Sequence, residues 1–301
     1  MAGIMRERFV DVTTELLGVH ENLALVTADL TAGLFRAAKE SHPDRVVNLG
    51  IREQLLVSVA GGMSLAGMRP IAHSFAPFLI ERPFEQIKLD LNHQDAGAVL
   101  VSAGASYDMA SSGRSHQSPG DVALLSTLPD WTIHVPGHPD EAEAHLREAA
   151  TGDGLVYVRL SNQSNAEPYG LDSGHGFRVL RRGTQATVIA VGPLADAVLE
   201  ATEHLDVTVL YGATIRPFDT AGLRAVVGEQ AVASVVLVEP YLAGTSTAEI
   251  AGALVDRPHR ILALGVSKEE LRNYGSPRQH AIAHGLGPAG MRRKISSFLS
   301  S

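Results

Sequence analysis

Apolar positions recur along this chain with two periods that take turns. Phe9, Val12, Leu16 and Leu17 keep to one side of a 3.6-residue repeat, which predicts a helix over 7–17, and the unbroken apolar run after it predicts a buried strand over 23–27. Asp29 ends that strand. The exchange continues with strands expected at 46–49, 71–74, 98–102, 132–136 and 155–160, and helices at 54–65, 84–91, 119–126 and 140–150. The stretch 54–65 mixes Ala and Gly with Leu, Val and Met, as a buried helix does. Strands that are apolar throughout, alternating with helices, predict a largely parallel sheet covered on both faces. Ligands of such sheets lie beyond the C-terminal strand ends. Asp29, Glu53, Phe75 and the stretch 104–116 all follow strands, so they are expected to share one edge.

From residue 162 to 183 the periodicity gives way to Asn, Ser, Gly and Pro, the composition of an interdomain crossing. Alternation then resumes, with strands expected at 186–191, 207–210, 235–238 and 261–266 and helices at 194–205, 220–227, 247–254 and 277–283. The expectation is an α/β protein of two consecutive domains, each a mostly parallel sheet flanked by helices: 1–165, a linker over 166–183, and 184–301. A length of 301 residues leaves room for two cores.

Composition narrows the function classes. With 45% hydrophobic and 19% charged residues, the chain has no uncharged apolar window of the roughly 18 residues a membrane span needs. Arg6, Glu7 and Arg8 interrupt the start, which lacks the apolar core of a signal peptide; a cytoplasmic location is expected, with no membrane partner. The absence of Cys rules out disulfides and thiolate zinc sites and leaves His and carboxylates for any metal. A net charge of -8 argues against a nucleic-acid partner, whose footprint is basic.

Candidate chemistry gathers around Gly50-Ile51-Arg52-Glu53-Gln54, which sets a carboxylate at a helix start. Taken alone, Glu53 complements the helix dipole, Phe75 and Phe78 are two core aromatics, Asp29 is a strand-end or capping residue, and His116 is one of thirteen histidines. Taken in order, Gly50–Gln54, Ser74-Phe75-Ala76-Pro77-Phe78, Phe84-Glu85-Gln86-Ile87 and Gly113-Arg114-Ser115-His116-Gln117 closely resemble the pyrimidine-binding domain of the transketolase family. The stretches 187–192, 215–219, 238–240, 274–277 and 284–286 are similar to that family's C-terminal domain. The resemblance covers essentially the whole chain, but only the C-terminal half of a full-length transketolase. The Gly-Asp-Gly motif of the diphosphate-binding half is missing, so the chain resembles one subunit of a split transketolase.

The resemblance implies thiamine diphosphate as cofactor, which supplies carbanion chemistry while the protein supplies orientation and proton control. It implies that Glu53 hydrogen-bonds the aminopyrimidine ring nitrogen, that Phe75 and Phe78 stack around the pyrimidine, and that Asp29 lies beside the cofactor at a subunit contact. His116 is implied to reach the substrate and handle a hydroxyl proton, with Arg6 and Gln117 as further substrate contacts; Arg114, where the family usually has a small residue, is a substrate-binding candidate of this chain's own, for a carboxylate or a displaced phosphate. Mg²⁺ would be held by an N-terminal, diphosphate-binding partner subunit in an α2β2 assembly. Several positions depart from the family pattern. Gly33 replaces a phosphate-binding Ser, Gly104 a His, Asn162 a phosphate-binding Arg, and Ser112 an Asp that reads a donor hydroxyl. The cofactor half of the site is thus kept and the sugar-phosphate half is not. The expected activity is transfer of a two-carbon ketol unit from a ketose-like donor to an aldehyde-like acceptor, both small molecules, in specialised metabolism. The alternatives are the β subunit of a 2-oxo acid dehydrogenase E1 component, and a non-catalytic scaffold subunit.

Overall fold

The computed structural model describes residues 5–228 and 232–301; the first four residues of the expected first domain lie outside them. The strands in chain order are β1 (Leu23–Thr27), β2 (Val46–Asn48), β3 (Arg69–Phe75), β4 (Val99–Ala103), β5 (Trp131–His134), β6 (Leu155–Arg159), β7 (Arg178–Arg181), β8 (Ala186–Val191), β9 (Val207–Gly212), β10 (Thr214–Arg216), β11 (Ala233–Leu242) and β12 (His259–Val266). They form two mostly parallel sheets flanked by helices, as the alternation predicts. The first has the order β10-β5-β6-β4-β3-β1-β2 and the second β12-β11-β8-β9-β7. Only β10 and β7, each at a sheet edge, run antiparallel to their neighbours.

In the first sheet, Thr27 is in register with both Asn48 and His73, and Phe75 with Ala103. That register brings the C-terminal ends of β1 to β4 to one edge, where Asp29, the start of the helix Glu53–Leu65, Phe75 and Gly104 follow. Strands β1, β4 and β6 are buried along their whole length, which is why they read as unbroken apolar runs.

Of the features that differ from the periodicity, three bear on the sheets and the site edge. The strand β7 lies inside the stretch expected as a linker; it is a half-buried edge strand, Arg-Val-Leu-Arg, with no apolar run to mark it. Strand β10 is three residues long and returns from the second half of the chain to pair with β5, Thr214 opposite His134. One apolar cluster therefore holds Ile133 and Val135 together with Ile189, Leu210 and Ile215, across the expected boundary. Third, the helix expected at 84–91 is a longer composite: π-helical turns at Pro77–Glu81 and Ile87–Asn92 flank a short α-helical piece, Phe84–Gln86. Wide turns of this kind re-aim side chains and recur at functional sites.

Beneath the site edge, Arg159 at the end of β6 is 1% exposed and Asp121 is 0% exposed; Nε of the arginine donates to Oδ2 at 2.7 Å. The Tyr157 hydroxyl donates to the same oxygen at 2.7 Å. Arg159 Nη2 also donates to Ser106 Oγ at 2.7 Å, and the Ser106 hydroxyl donates to the carbonyl of Pro240 on β11. A buried ion pair adds little over an apolar replacement, but removing one partner strands a charge. Asp121→Ala is accordingly expected to lower unfolding free energy by about 3–5 kcal/mol, and Asp121→Ala with Arg159→Leu to recover much of the loss. Chemical denaturation measures both; a single-variant effect under about 0.5 kcal/mol would contradict the role given to this pair.

Candidate active site

The edge of the first sheet opens onto a cavity of about 350 Å³ lined by Ala28, Asp29, Leu30, Ile51, Glu53, Ser74, Phe75, Phe78 and His116. Five of the residues singled out from the sequence, Asp29, Glu53, Phe75, Phe78 and His116, thus meet around one space.

Asp29 is held there by backbone that few residues adopt. Its φ is 63° and that of Thr31 is 64°, in the left-handed region where a β-branched residue is a genuine outlier. Side chains on two neighbouring strands secure this turn. Asn48 accepts from the backbone N–H groups of Asp29 (3.0 Å) and Gly50 (3.1 Å) and donates to Asp29 Oδ1 (2.9 Å). His73, fully buried in β3, pairs through Nδ1 with the carbonyl of Val101 at 2.8 Å, so Nδ1 carries the proton and Nε2 accepts from the Thr31 hydroxyl at 2.9 Å. Burial pushes the His73 imidazole down to about 4, and the charge of Arg6 acts in the same direction. The ring is neutral at pH 7 and stays an acceptor for Thr31.

Glu53 occupies the first turn of its helix and is 2% exposed. Gly50, with φ 69°, makes the left-handed step that turns the chain from β2 into that helix. The carboxylate has a cationic partner, Arg82, whose Nη1 lies 2.7 Å from Oε2. The same guanidinium sits over the face of Phe78, 4.1 Å from the ring centroid. Phe75, Phe78 and His116 form a triangle of edge-to-face rings: centroids are 6.0 Å apart for the two phenylalanines, 5.6 Å for Phe75 and His116, and 5.0 Å for Phe78 and His116. The arrangement offers aromatic walls and one buried carboxylate, which suits a flat heteroaromatic ring with a basic nitrogen. It offers nothing for a diphosphate–metal group: among the described residues the one cluster of three side chains able to ligate a metal lies elsewhere.

The remaining residues expected at the site are not on this cavity. Arg6, on the first helix, has a buried Nε without a hydrogen-bond partner and lies close enough to His73 to act on its charge. Arg114 turns toward the second half of the chain, 3.2 Å from Glu270, and donates to the carbonyl of Gln117 at 2.9 Å. Arg114 and Gln117 line a separate cleft of about 200 Å³ with residues of the segment 266–271. Asn48, His73 and Arg82 hold the turn at Asp29 and Thr31 and the Glu53 carboxylate, and the sequence does not single them out. Arg82 stands next to motif residues, whereas nothing marks Asn48 or His73 beyond a polar group in an apolar strand. Gly104 has φ 71°, and a Cβ there would stand 3.1 Å from the Phe75 ring. The glycine thus fits its left-handed backbone, and a side chain at 104 would press on Met109, 3.0 Å from such a Cβ, as well as on Phe75.

Residues 4–167 match the family described as transketolase, pyrimidine binding domain. Among curated proteins, the 33.6 kDa protein in the fasciation locus of Rhodococcoides fascians is 53% identical over 91% of this chain and 88% of its own length. A subunit of the apulose-4-phosphate transketolase of Actinobacillus succinogenes is 34% identical over 74% of this chain and 73% of its own. Among solved structures, a split gene transketolase described as an inactive beta4 tetramer superposes with a TM-score of 0.84 at 26% identity, covering 99% of both chains.

Proposed function

Because the chain belongs to the transketolase family and has the make-up of the C-terminal subunit of a split transketolase, we propose that it completes a thiamine-diphosphate site in which a two-carbon ketol unit passes from a ketose-like donor to an aldehyde-like acceptor. The observation that carries this reading is the buried Glu53 carboxylate on a cavity walled by Phe75, Phe78 and His116. The cofactor supplies a stabilised carbanion when bound. Phe75 and Phe78 would hold its pyrimidine, and Glu53 would hydrogen-bond the ring nitrogen, the contact through which the protein would govern the cofactor's proton. Arg82 gives the buried carboxylate a charged partner within the chain. His116, the third ring of the aromatic triangle, accepts or returns a hydroxyl proton of the substrate, the exchange for which imidazole is suited among side chains.

A partner subunit holding Mg²⁺ and the diphosphate belongs to the same proposal. The cavity has no ligand set for them, and its rim is apolar: Ile51 is 69% exposed, with Leu34 and Leu55 on neighbouring segments also exposed. Such a surface is the kind a subunit contact covers. The inactive β4 tetramer named for the structurally similar chain is in keeping with a subunit that needs another kind of chain, and the proposal includes an α2β2 assembly. Among the described residues no helix is long and apolar enough to cross a membrane.

Glu53→Gln keeps the shape and removes the shared charge. In the complex with its partner, it is expected to slow exchange of the cofactor's C2 proton with deuterium by about 10²- to 10⁴-fold, followed by proton NMR, with the assembly intact. A rate within about threefold of the parent would defeat the assignment.

The substrate part of the proposal rests on what replaces the phosphate-binding groups. An Arg and a His exchanged for Asn162 and Gly104 remove charged hydrogen bonds of roughly 1.5–3 kcal/mol each. Arg114 is already paired with Glu270 and compensates only by leaving that pair. We therefore assign non-phosphorylated or differently charged sugars. The reconstituted enzyme is expected to use xylulose and xylulose 5-phosphate with kcat/KM values within about tenfold of each other. A preference of about a hundredfold or more for the phosphorylated donor would refute this.

A further inference from the structure

Away from the cavity, three imidazoles and a carboxylate converge from three segments. His134 ends β5, His145 and Glu148 lie on the helix Pro139–Thr151, and His175 sits on the chain that leads into β7. The rings of His134 and His145 stack at 4.0 Å with 13° between planes, and His175 stands edge-on to His134 at 5.3 Å. One ligand atom each from His134, Glu148 and His175 lies within 4.8 Å of the other two.

One nitrogen here is unaccounted for by the protein. Nε2 of His145, a residue 7% exposed, is buried without a hydrogen-bond partner. Nε2 of His175 lies 2.8 Å from Glu148 Oε1. A buried polar atom left as His145 Nε2 is left is rare and calls for a specific reason. Burial keeps the His134 and His145 rings neutral, the form that ligates metals. Nδ1 of His134 is engaged by the Thr214 hydroxyl at 2.9 Å, which fixes the ring and leaves Nε2 for a cation, the usual outer-sphere arrangement of a ligating histidine.

We propose that His134, His175 and Glu148, with His145 packed beside them, bind a single Zn²⁺ ion. Imidazole nitrogens with one carboxylate suit Zn²⁺, whereas Mg²⁺ and Ca²⁺ require oxygen donors throughout. Ligand atoms about 2.0–2.1 Å from a tetrahedral ion stand roughly 3.4 Å apart, so atoms up to 4.8 Å apart have to close by up to about 1.4 Å, while His175 Nε2 and Glu148 Oε1, 2.8 Å apart, have to open slightly. The His175 and Glu148 side chains, 37% and 56% exposed, are free to rotate that far, and they give the ion a path from solvent. A cavity of about 100 Å³ bordered by His145, Glu148, Gly170 and Gly174 opens beside them. None of the four residues lines the cofactor cavity, so the role is structural. The ion pins the crossing chain ahead of β7 to the strand β5, next to the point where β10 returns to the first sheet.

The test uses the full chain, freed of metal with a chelator and titrated with Zn²⁺ alone, followed by calorimetry and metal content, with Co²⁺ as a spectroscopic substitute. Expected are about one Zn²⁺ per chain, a higher thermal midpoint in its presence, and tetrahedral Co²⁺ absorption. His175→Ala and Glu148→Gln, on the solvent side, keep the parent's circular dichroism and weaken Zn²⁺ by at least about tenfold, the loss typical even of an outer-sphere change. His204→Ala, altering an imidazole 78% exposed outside the cluster, leaves binding unchanged. No stoichiometric Zn²⁺ in the parent, or equal affinity in the parent and His175→Ala, would overturn the proposal.

Discussion

A guanidinium sealed from water has to be answered by the protein around it, and the answer given to Arg159 shapes the middle of this molecule. Asp121 neutralises it, and Ser106 takes a second N–H and passes the connection to the carbonyl of Pro240 in the other sheet. The stretch 104–118 is thereby fastened at Ser106. It is fastened again at Asp108, whose buried carboxylate accepts from the Ser161 hydroxyl (2.9 Å), the Asn162 backbone N–H (2.8 Å) and the Gln163 side chain (3.2 Å). His116 is delivered to Phe75 and Phe78 from this anchored segment. The charge pair under the sheet edge and the ring triangle on top of it are two ends of one construction.

The other wall of the cavity is built from a different constraint. A buried carboxylate cannot stay charged without a partner, and Glu53 has Arg82, which follows directly on the π-helical turn Pro77–Glu81 that carries Phe78. On the Asp29 side, left-handed backbone at Asp29 and Thr31 is held by Asn48 and the neutral His73. Both walls of the pocket are thus held by contacts within the chain itself.

Which parts of the fold are legible in the sequence depends on which residues leave a pattern. Buried parallel strands announce themselves: 23–27 and 186–191 are predicted to the residue, since nothing charged interrupts Leu-Ala-Leu-Val-Thr or Ala-Thr-Val-Ile-Ala-Val. Edge strands vary: β2 and β12 fall on the stretches expected at 46–49 and 261–266, but β7 and β10 escape prediction because half-exposed Arg-Val-Leu-Arg and a three-residue pairing carry no alternation to detect. The helix Pro288–Ser300 escapes for a related reason: only Met291 and Ile295 are buried on it. In the cavity, five residues are legible through motif order. Arg82, Asn48 and His73 are not, since their roles exist only through partners distant in sequence. Arg114 and Gln117 belong to a motif, but the chain between Gly113 and Pro119 turns them toward Glu270 and a second cleft.

The central claim is that this chain supplies the pyrimidine half of a shared site and not the diphosphate half. Calorimetric titration of thiamine diphosphate with Mg²⁺ into the purified chain, alone and then with a diphosphate-binding subunit, addresses it directly. The account predicts no binding at micromolar concentrations for the chain alone, and tight binding with both subunits that Glu53→Gln weakens. Micromolar or tighter binding by the chain alone would contradict a shared site.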